Sequence, residues 1–345
     1  MTPPPLTVTL MNAASRQRWD EFVFNHPDAT FFHRAGWQDV IERHFGHRTW
    51  FLAAESNGQI RAILPLAQVK SRLFGHTLVS LPFCVYGGIV ARDAEAAEAL
   101  DREAQALAIR LGVDHLEYRQ LQPRHPEWHT RSVYATFRRP LLATLEENLL
   151  AIPRKQRAMV RKGIAGGLRS HVDHDTDRLF RCYAASVHRL GTPVFSRRYF
   201  AFLAETFSDA CEVLSIEHGG KAVSAVLSFR FRDQILPYYG GGDLPARQLA
   251  ANDFMYWEVM RRACEAGCTV FDFGRSKVGT GSFAFKKNWG FEPQPLHYEC
   301  QMVGAAALRD NQPLNPRFAL FIRAWKLLPR GVANALGPHL VRQLG

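Results

Sequence analysis

Acidic residues run short in this 345-residue sequence: none separates Glu147 from Asp173, and none follows Asp310. The formal net charge is +11, which implies anionic partners. Nucleic acid, phosphate-bearing cofactors and an anionic membrane surface all qualify, and charge alone does not choose among them. Long apolar runs are also missing; none reaches the ~18 residues that a spanning helix needs. The opening MTPPPLTVTL has no basic stretch followed by an apolar one, so no signal peptide is expected. The six cysteines (Cys84, Cys182, Cys211, Cys264, Cys268, Cys300) contain no C-x-x-C pair. They read as reduced thiols of a cytoplasmic protein, and no structural zinc is expected. No Ser-His-Asp order, Cys-His pair or H-E-x-x-H stands out, which argues against covalent hydrolysis and zinc chemistry. What remains is 47% hydrophobic and 22% charged, an ordinary globular composition in a chain long enough for two cores.

Periodicity sets the order of elements. Leu6 to Leu10 alternates as a strand, Ala13 to Phe24 has helical spacing, and Phe32-His33-Arg34-Ala35-Gly36-Trp37 opens a helix through Phe45. Strands follow at Trp50–Glu55 and Ile60–Val69 around an Asn57-Gly58 hairpin turn. Thr77 to Val90 reads as a further strand pair ending near Tyr86-Gly87-Gly88. Ala94 to Leu111 is a helix capped by Asp93 and ended by Gly112, with a strand from Val113 to Arg119. The second half echoes that order. The helix opening at Phe195 to Phe200 contains Arg198, strands at Cys211–Glu217 and Ala222–Phe231 follow, then Tyr239-Gly240-Gly241, a helix to Gly267, and Val270-Phe271-Asp272. Five matches in one order predict duplicated α/β domains. We place them at 1–138 and 139–303, with a basic amphipathic tail at 304–345.

Three segments concentrate charge. Thr144 and Glu147 form a capping box ahead of Pro153, after which Arg154, Arg157 and Arg161 share one helical face with Lys155 and Lys162 nearby. That stripe is either a solvated face or a seat for an anionic ligand. Val270 to Gly290 runs from an apolar strand into a Gly274-Arg275-Ser276-Lys277 turn, a glycine-rich loop, and Phe285-Lys286-Lys287 before Trp289. A lysine between aromatic rings is partly desolvated, which suits Lys286 to a phosphate or carboxylate. The tail from Arg317 places Phe318, Phe321, Ile322 and Trp325 on one face. It can lie on an anionic bilayer through 317–330, peripheral to the inner face of the membrane, or dock on the protein body.

Tyr239-Gly240-Gly241, Trp257-Glu258-Val259, Phe271-Asp272-Phe273-Gly274-Arg275 and Phe285-Lys286-Lys287-Asn288-Trp289-Gly290 together resemble the FemAB family, tandem acyltransferase domains of the GNAT type. The likeness covers about residue 6 to about residue 303, and the tail looks like a subgroup associated with exosortase and PEP-CTERM systems. The resemblance implies an α/β (α+β) fold of duplicated domains, each a mixed, mostly antiparallel sheet flanked by helices. It also implies transfer of an acyl or aminoacyl group from acyl-CoA or aminoacyl-tRNA to an amine on a cell-envelope or exopolysaccharide precursor. No cofactor is tightly bound in that reading. It puts Lys286 in the active site and matches Tyr239 to the aromatic before the Gly-Gly. The sequence departs from the Q/R-x-x-G-x-G/A phosphate loop of GNAT enzymes, having Gly240-Gly241-Gly242-Asp243-Leu244-Pro245-Ala246-Arg247 there.

Acyl transfer needs a neutral amine, an oriented carbonyl and oxyanion donors. Backbone amides of a Gly240–Gly242 loop suit the oxyanion, Tyr238 or Tyr239 a proton to the leaving group, and Asp272 a proton from the amine unless it caps a turn. Arg275, Ser276, Lys286 and Lys287, with Arg154, Arg157, Arg161 and Arg198, suit phosphates of a phosphorylated or sugar-linked acceptor, or of tRNA. Asn252 reads as a helix cap. The competing reading is a non-catalytic RNA- or polysaccharide-binding protein on a degenerate acyltransferase scaffold.

Overall fold

The computed structural model describes residues 5–71, 75–304 and 316–343. They form two compact units: residues up to Val133 with the stretch from Pro295 and the last turn from Arg342, and Tyr134–Gln294 with the tail up to Val341.

In the first unit β1 (Thr7–Leu10), β2 (Thr49–Ser56), β3 (Gln59–Ser71) and β4 (Gly75–Val79) pair antiparallel in that order. The short β5 (Val90–Ala91) touches β3, β6 (His115–Gln120) lies parallel to β4, and β7 (His129–Arg131) follows. Asn57 and Gly58 both take left-handed backbone (φ 52° and 72°), as an Asn-Gly hairpin turn requires. Helices α1 (Arg16–Asn25), α2 (Gly36–Asp39) and α3 (Ala94–Leu111) flank the sheet. Asp93 accepts from the Ala96 amide and left-handed Gly112 closes α3, which lays Leu100, Ala104 and Leu107 on Leu52, Leu64 and Leu116. The helix expected from Phe32 to Phe45 is instead a tight turn at Phe31–His33, then α2, then a wider π turn from Val40 to Phe45. The strand pair expected over Thr77–Val90 shrinks to β4 and the two residues of β5. Between them Leu81 and Phe83 take positive φ (57° and 70°), which breaks an extended run.

The second unit contains β8 (Tyr134–Pro140), α4 (Leu145–Ala151), α5 (Arg154–Ala165), β9 (Arg169–Asp173), α6 (Asp177–Leu190) and α7 (Arg197–Thr206). It continues with β10 (Cys211–His218), β11 (Lys221–Phe231), β12 (Gln234–Gly242), α8 (Ala251–Glu265), β13 (Val270–Lys277), α9 (Gly281–Asn288) and β14 (Pro293–Pro295). Then β15 (His297–Met302) returns to the first unit by pairing with β6 and β7, and α10 (Pro316–Leu327) and α11 (Arg330–Val341) end the chain. The sheets run β1-β2-β3-β4-β6-β15-β7 and β9-β10-β11-β12-β13-β8-β14. Each is an antiparallel meander, a helix, one parallel strand and an antiparallel closing strand. The closing strands are exchanged, since β8 precedes its own meander and β15 takes the matching place in the first sheet. The cut placed after residue 138 therefore falls inside β8, and residues 297–302 join the sheet of the opposite half.

Strand β11 is buried on both faces through Val223–Phe229, because α8 covers one side and α6 the other. Met255, Val259, Met260 and Ala263 of α8 pack with Leu214, Val226 and Phe271. The capping box forms as expected, with Thr144 Oγ1 accepting from the Glu147 amide and Glu147 accepting from Thr144 N. Two expected loops are strand: Gly274–Lys277 lies in β13 and Gly240–Gly242 in β12.

The tail docks. Trp325, Ala333 and Val341 are buried, His188 Nε2 bonds the Leu328 carbonyl at 3.0 Å, and both helices pack on α6. Arg317 and Phe318, invoked for the apolar face, lie outside the residues whose side chains are described.

Helix α6 rests directly on β12: a methyl on Gly241 would come within 2.8 Å of Ser186 Cβ and 3.0 Å of the Cys182 carbonyl. We expect Gly241→Val to force these elements apart and lower stability by about 1–3 kcal/mol. The shift of the urea midpoint measures it.

Candidate active site

The ladder between β12 and β13 has only two rungs, Gln234↔Val270 and Ile235↔Phe271, although β12 continues to Gly242 and β13 to Lys277. Both strands are bulged where they part. Tyr238 is the extra residue opposite Leu227/Ser228 of β11, and Phe273 and Gly274 are accommodated between the Asp272↔Arg138 and Arg275↔Thr136 pairs. A bulge bends and over-twists its strand, so two bulges at one level open a fork. Gly274 takes the left-handed φ (66°) that its bulge needs.

The first unit closes the equivalent place. After β4 the Ser80 amide donates to the Glu117 carbonyl, Ser80 Oγ accepts from Arg119 N, and the Gly87 and Gly88 amides donate to the Arg119 carbonyl. The Arg119 guanidinium donates to the Leu81 and Cys84 carbonyls. Its own chain fills that fork, so the second unit carries the open one.

On the β13 prong, Lys286 reaches back from α9. Its ammonium donates to the carbonyls of Phe273 (2.7 Å), Gly274 (3.0 Å) and Arg275 (3.0 Å), with Phe137 and Phe273 rings beside it. Burial pulls Lys286 down to about 7, Asp272 opposing and Arg275 adding. Three carbonyls face the three N–H donors of the protonated form, against the net pull of burial. Asp272 is 1% exposed; one oxygen accepts from Gly274 N and the other lies 3.2 Å from Arg138 Nε. It holds the turn of the bulge, the alternative to proton acceptance. Arg275 lies over the Tyr134 ring, and Ser276 is buried with its Oγ unpartnered among the described residues. Lys287 is exposed.

The β12 prong alternates. Gly240 faces α8, where a methyl would sit 3.2 Å from the Tyr256 hydroxyl, while Gly241 faces α6. Tyr239 points inward among Tyr183, Phe195 and Phe200, and its hydroxyl pairs with that of Tyr199 at 3.0 Å. Tyr238 is half-buried beside Phe229. Tyr256, which sequence reasoning missed, reaches both prongs: it touches the Gly240 position and meets Phe273 edge-on at 4.8 Å. Burial, with Asp253 adding, raises its hydroxyl to about 12, so it keeps its proton at neutral pH. Its place just before the Trp257-Glu258-Val259 motif was the available signal.

Helix α8 begins without a side-chain cap, after Ala250 at φ 56°. Asn252 lies inside the helix instead of capping it, and its buried Oδ1 has no partner among the described residues. Helix α5 packs along α8 at Gly163, where a methyl would come within 2.7 Å of Phe254 Cβ. Arg154, Lys155, Arg161 and Lys162 are exposed on α5, whereas Arg157 donates to the Leu150 carbonyl. Arg198 is exposed on α7. The fork thus gathers Lys286, Asp272, Arg275, Ser276, Gly240 and Tyr256, while the α5 arginines and Arg198 belong to other elements.

Burial pushes the Cys182 thiol to about 11 and the Cys211 thiol to about 12, against thiolate chemistry. Among the described residues His115, Glu117 and Cys300 lie close enough to share a metal, within 4.8 Å. Burial pushes Glu117 up, but Arg119 and Arg131 outweigh it and hold the carboxyl down at about 2. Those guanidiniums, at 2.8 and 3.3 Å, already occupy the carboxylate and oppose a cation.

Residues 151–287 match the family model of the Acetyltransferase (GNAT) domain. None of the curated proteins matches the sequence. Among solved structures, FemX superimposes with a TM-score of 0.67 at 14% identity, over 85% of this chain and 97% of FemX. The tandem GNAT protein from the clavulanic acid biosynthesis pathway gives 0.55 at 13% identity, over 88% and 100% of the two chains. The C-terminal domain of an Agrobacterium fabrum protein named as a lysylphosphatidylglycerol synthetase gives 0.57 at 16%, over 84% and 93%. The GNAT match is thus confined to residues 151–287, and the chain as a whole has the fold of FemX, a FemAB-family protein. None of these matches carries the exosortase subgroup.

An ammonium whose folded pKa lies near 7 against an unfolded value of 10.5 costs stability in full below about 7, and the cost fades as pH rises to 10.5. Wild type is expected to gain stability relative to Lys286→Met across that window, as urea titrations of both proteins would show. A pH-independent difference would mean that the carbonyls keep Lys286 charged throughout.

Proposed function

We propose that this chain transfers an acyl or aminoacyl group from a phosphate-bearing donor to an amine on a cell-envelope or exopolysaccharide precursor. The observation that carries the reading is the fork between β12 and β13. Strands that part after two rungs leave the β13-facing edge of β12 without a partner strand beyond Ile235, and an extended, amide-containing donor arm adds there as a short strand, while Lys286 and Asp272 hold the β13 side. The amides of the uncapped first turn of α8 suit the donor's phosphates. The amine attacks the donor carbonyl; the new C–N bond forms as the C–S bond of a thioester or the C–O bond of an aminoacyl ester breaks. Tyr256 supplies a proton to the departing sulfur or oxygen, and solvent takes the one lost by nitrogen. Lys286 and Asp272 act as positioning residues that keep β13 bent.

Acyl-CoA carries such an amide-containing arm, whereas aminoacyl-tRNA would reach the fork through its terminal ribose and phosphates. The exposed Arg154, Lys155, Arg161 and Lys162 beside α8 favour the longer polyanion, aminoacyl-tRNA. One protein of this fold is named for lysylphosphatidylglycerol, an aminoacylated lipid, which is in keeping with an envelope acceptor. Both donors are cytoplasmic molecules, and we place the chain there. No helix among the described residues is long and apolar enough to cross a membrane.

The test is thiol release from acetyl-CoA across amino-sugar acceptors, run beside the same acceptors with charged tRNA. Tyr256→Phe is expected to lower kcat about a hundredfold with an unchanged urea midpoint. Arg154→Glu with Arg161→Glu is expected to raise KM for charged tRNA more than for acetyl-CoA. Transfer from neither donor, with RNA binding retained, would replace the enzyme with the non-catalytic binder.

A further inference from the structure

Helices α10 and α11 pack on α6 and bury Trp325, Ala333, Gly337 and Val341; a methyl on Gly337 would sit 2.8 Å from the backbone of Val194, just past the end of α6. The opposite sides are apolar. On α10, Leu320 is 75% and Leu327 85% exposed, with Ala324 between them; on α11, Val332 and Leu336 are 44% and 48% exposed. A helix that only packs on its own protein has no reason to be apolar on the far side. Arg323 and Lys326 flank the α10 patch, both exposed, while Arg330 at the start of α11 lies 3.8 Å from Asp243 Oδ1. The sequence beyond Asp310 contains no acidic residue.

We propose that this helix pair seats the protein on an anionic phospholipid bilayer, the outer leucines entering the headgroup boundary and Arg323 and Lys326 meeting lipid phosphates. Each helix has 12 residues, too few to span but enough to lie in the interface plane. An acidic protein groove could take the leucines, but the patch is convex helix surface with cations beside it, the arrangement that a planar anionic surface accommodates. Docking on α6 fixes the pair before it meets lipid, so binding costs little ordering. The proposal does not rest on the acyl-transfer reading.

Co-sedimentation of the full chain with phosphatidylglycerol-rich vesicles, beside vesicles of phosphatidylcholine alone, tests it. Binding to the anionic vesicles is expected to be at least about tenfold tighter and to weaken with added salt. Leu327→Glu combined with Leu336→Glu is expected to weaken it by about tenfold or more with an unchanged urea midpoint, because both side chains are exposed. Arg323→Gln with Lys326→Gln is expected to erase much of the preference for anionic lipid. Absence of binding to anionic vesicles, or full binding by the double-glutamate variant, would overturn the proposal. So would a self-associated protein in sedimentation equilibrium that Leu327→Glu dissociates, since a second copy would then cover the patch.

Discussion

One ammonium group governs the shape of the open sheet. Lys286 spends all three of its donors on consecutive carbonyls of a single strand, at Phe273, Gly274 and Arg275. Carbonyls that point toward one lysine cannot all point toward a neighbouring strand, so β13 is withdrawn from pairing with β12 beyond Phe271. Asp272 completes the arrangement from the other direction by taking the Gly274 amide. Bulge, lysine and aspartate are one device, and the fork is its result.

The paired units show what happens without that device. In the first, the stretch after β4 turns back and fills the equivalent gap with its own amides, and Arg119 ties it down from inside. Duplication supplied two similar frameworks; local backbone chemistry closed one and opened the other. The GNAT match at 151–287 lies within the unit that stays open.

Much of this was legible in the residues. Asp93, Gly112, Asn57-Gly58 and the Thr144/Glu147 box each fix a boundary through local hydrogen bonding, so their signals need no knowledge of the rest of the chain. The echo between halves survived because it tracks hydrophobic order. What escaped depends on distant partners. Gly274 and Gly240–Gly242 look like loop in composition, yet Gly274 serves a bulge and Gly241 makes room for α6. Lys286 was identified as partly desolvated, but nothing local says that strand carbonyls fill its donors. Tyr256 sits on a helix whose apolar spacing gives no hint that one ring spans two diverging strands. Tyr239, chosen for its place before the glycines, turns into an aromatic cluster because α6 and α7 cover that face.

The exchanged closing strands set the order in which the molecule can be completed during synthesis. The first sheet has its meander, helix and parallel strand by Gln120, but the strand between β6 and β7 is made only at His297–Met302. Until the ribosome has passed that point, β6 keeps an unsatisfied edge while the whole second sheet is translated. A nascent chain in that state is a substrate for chaperones and for mispairing with other chains. Separate expression of the two halves would leave one sheet short of a strand and the other half with a strand it cannot use.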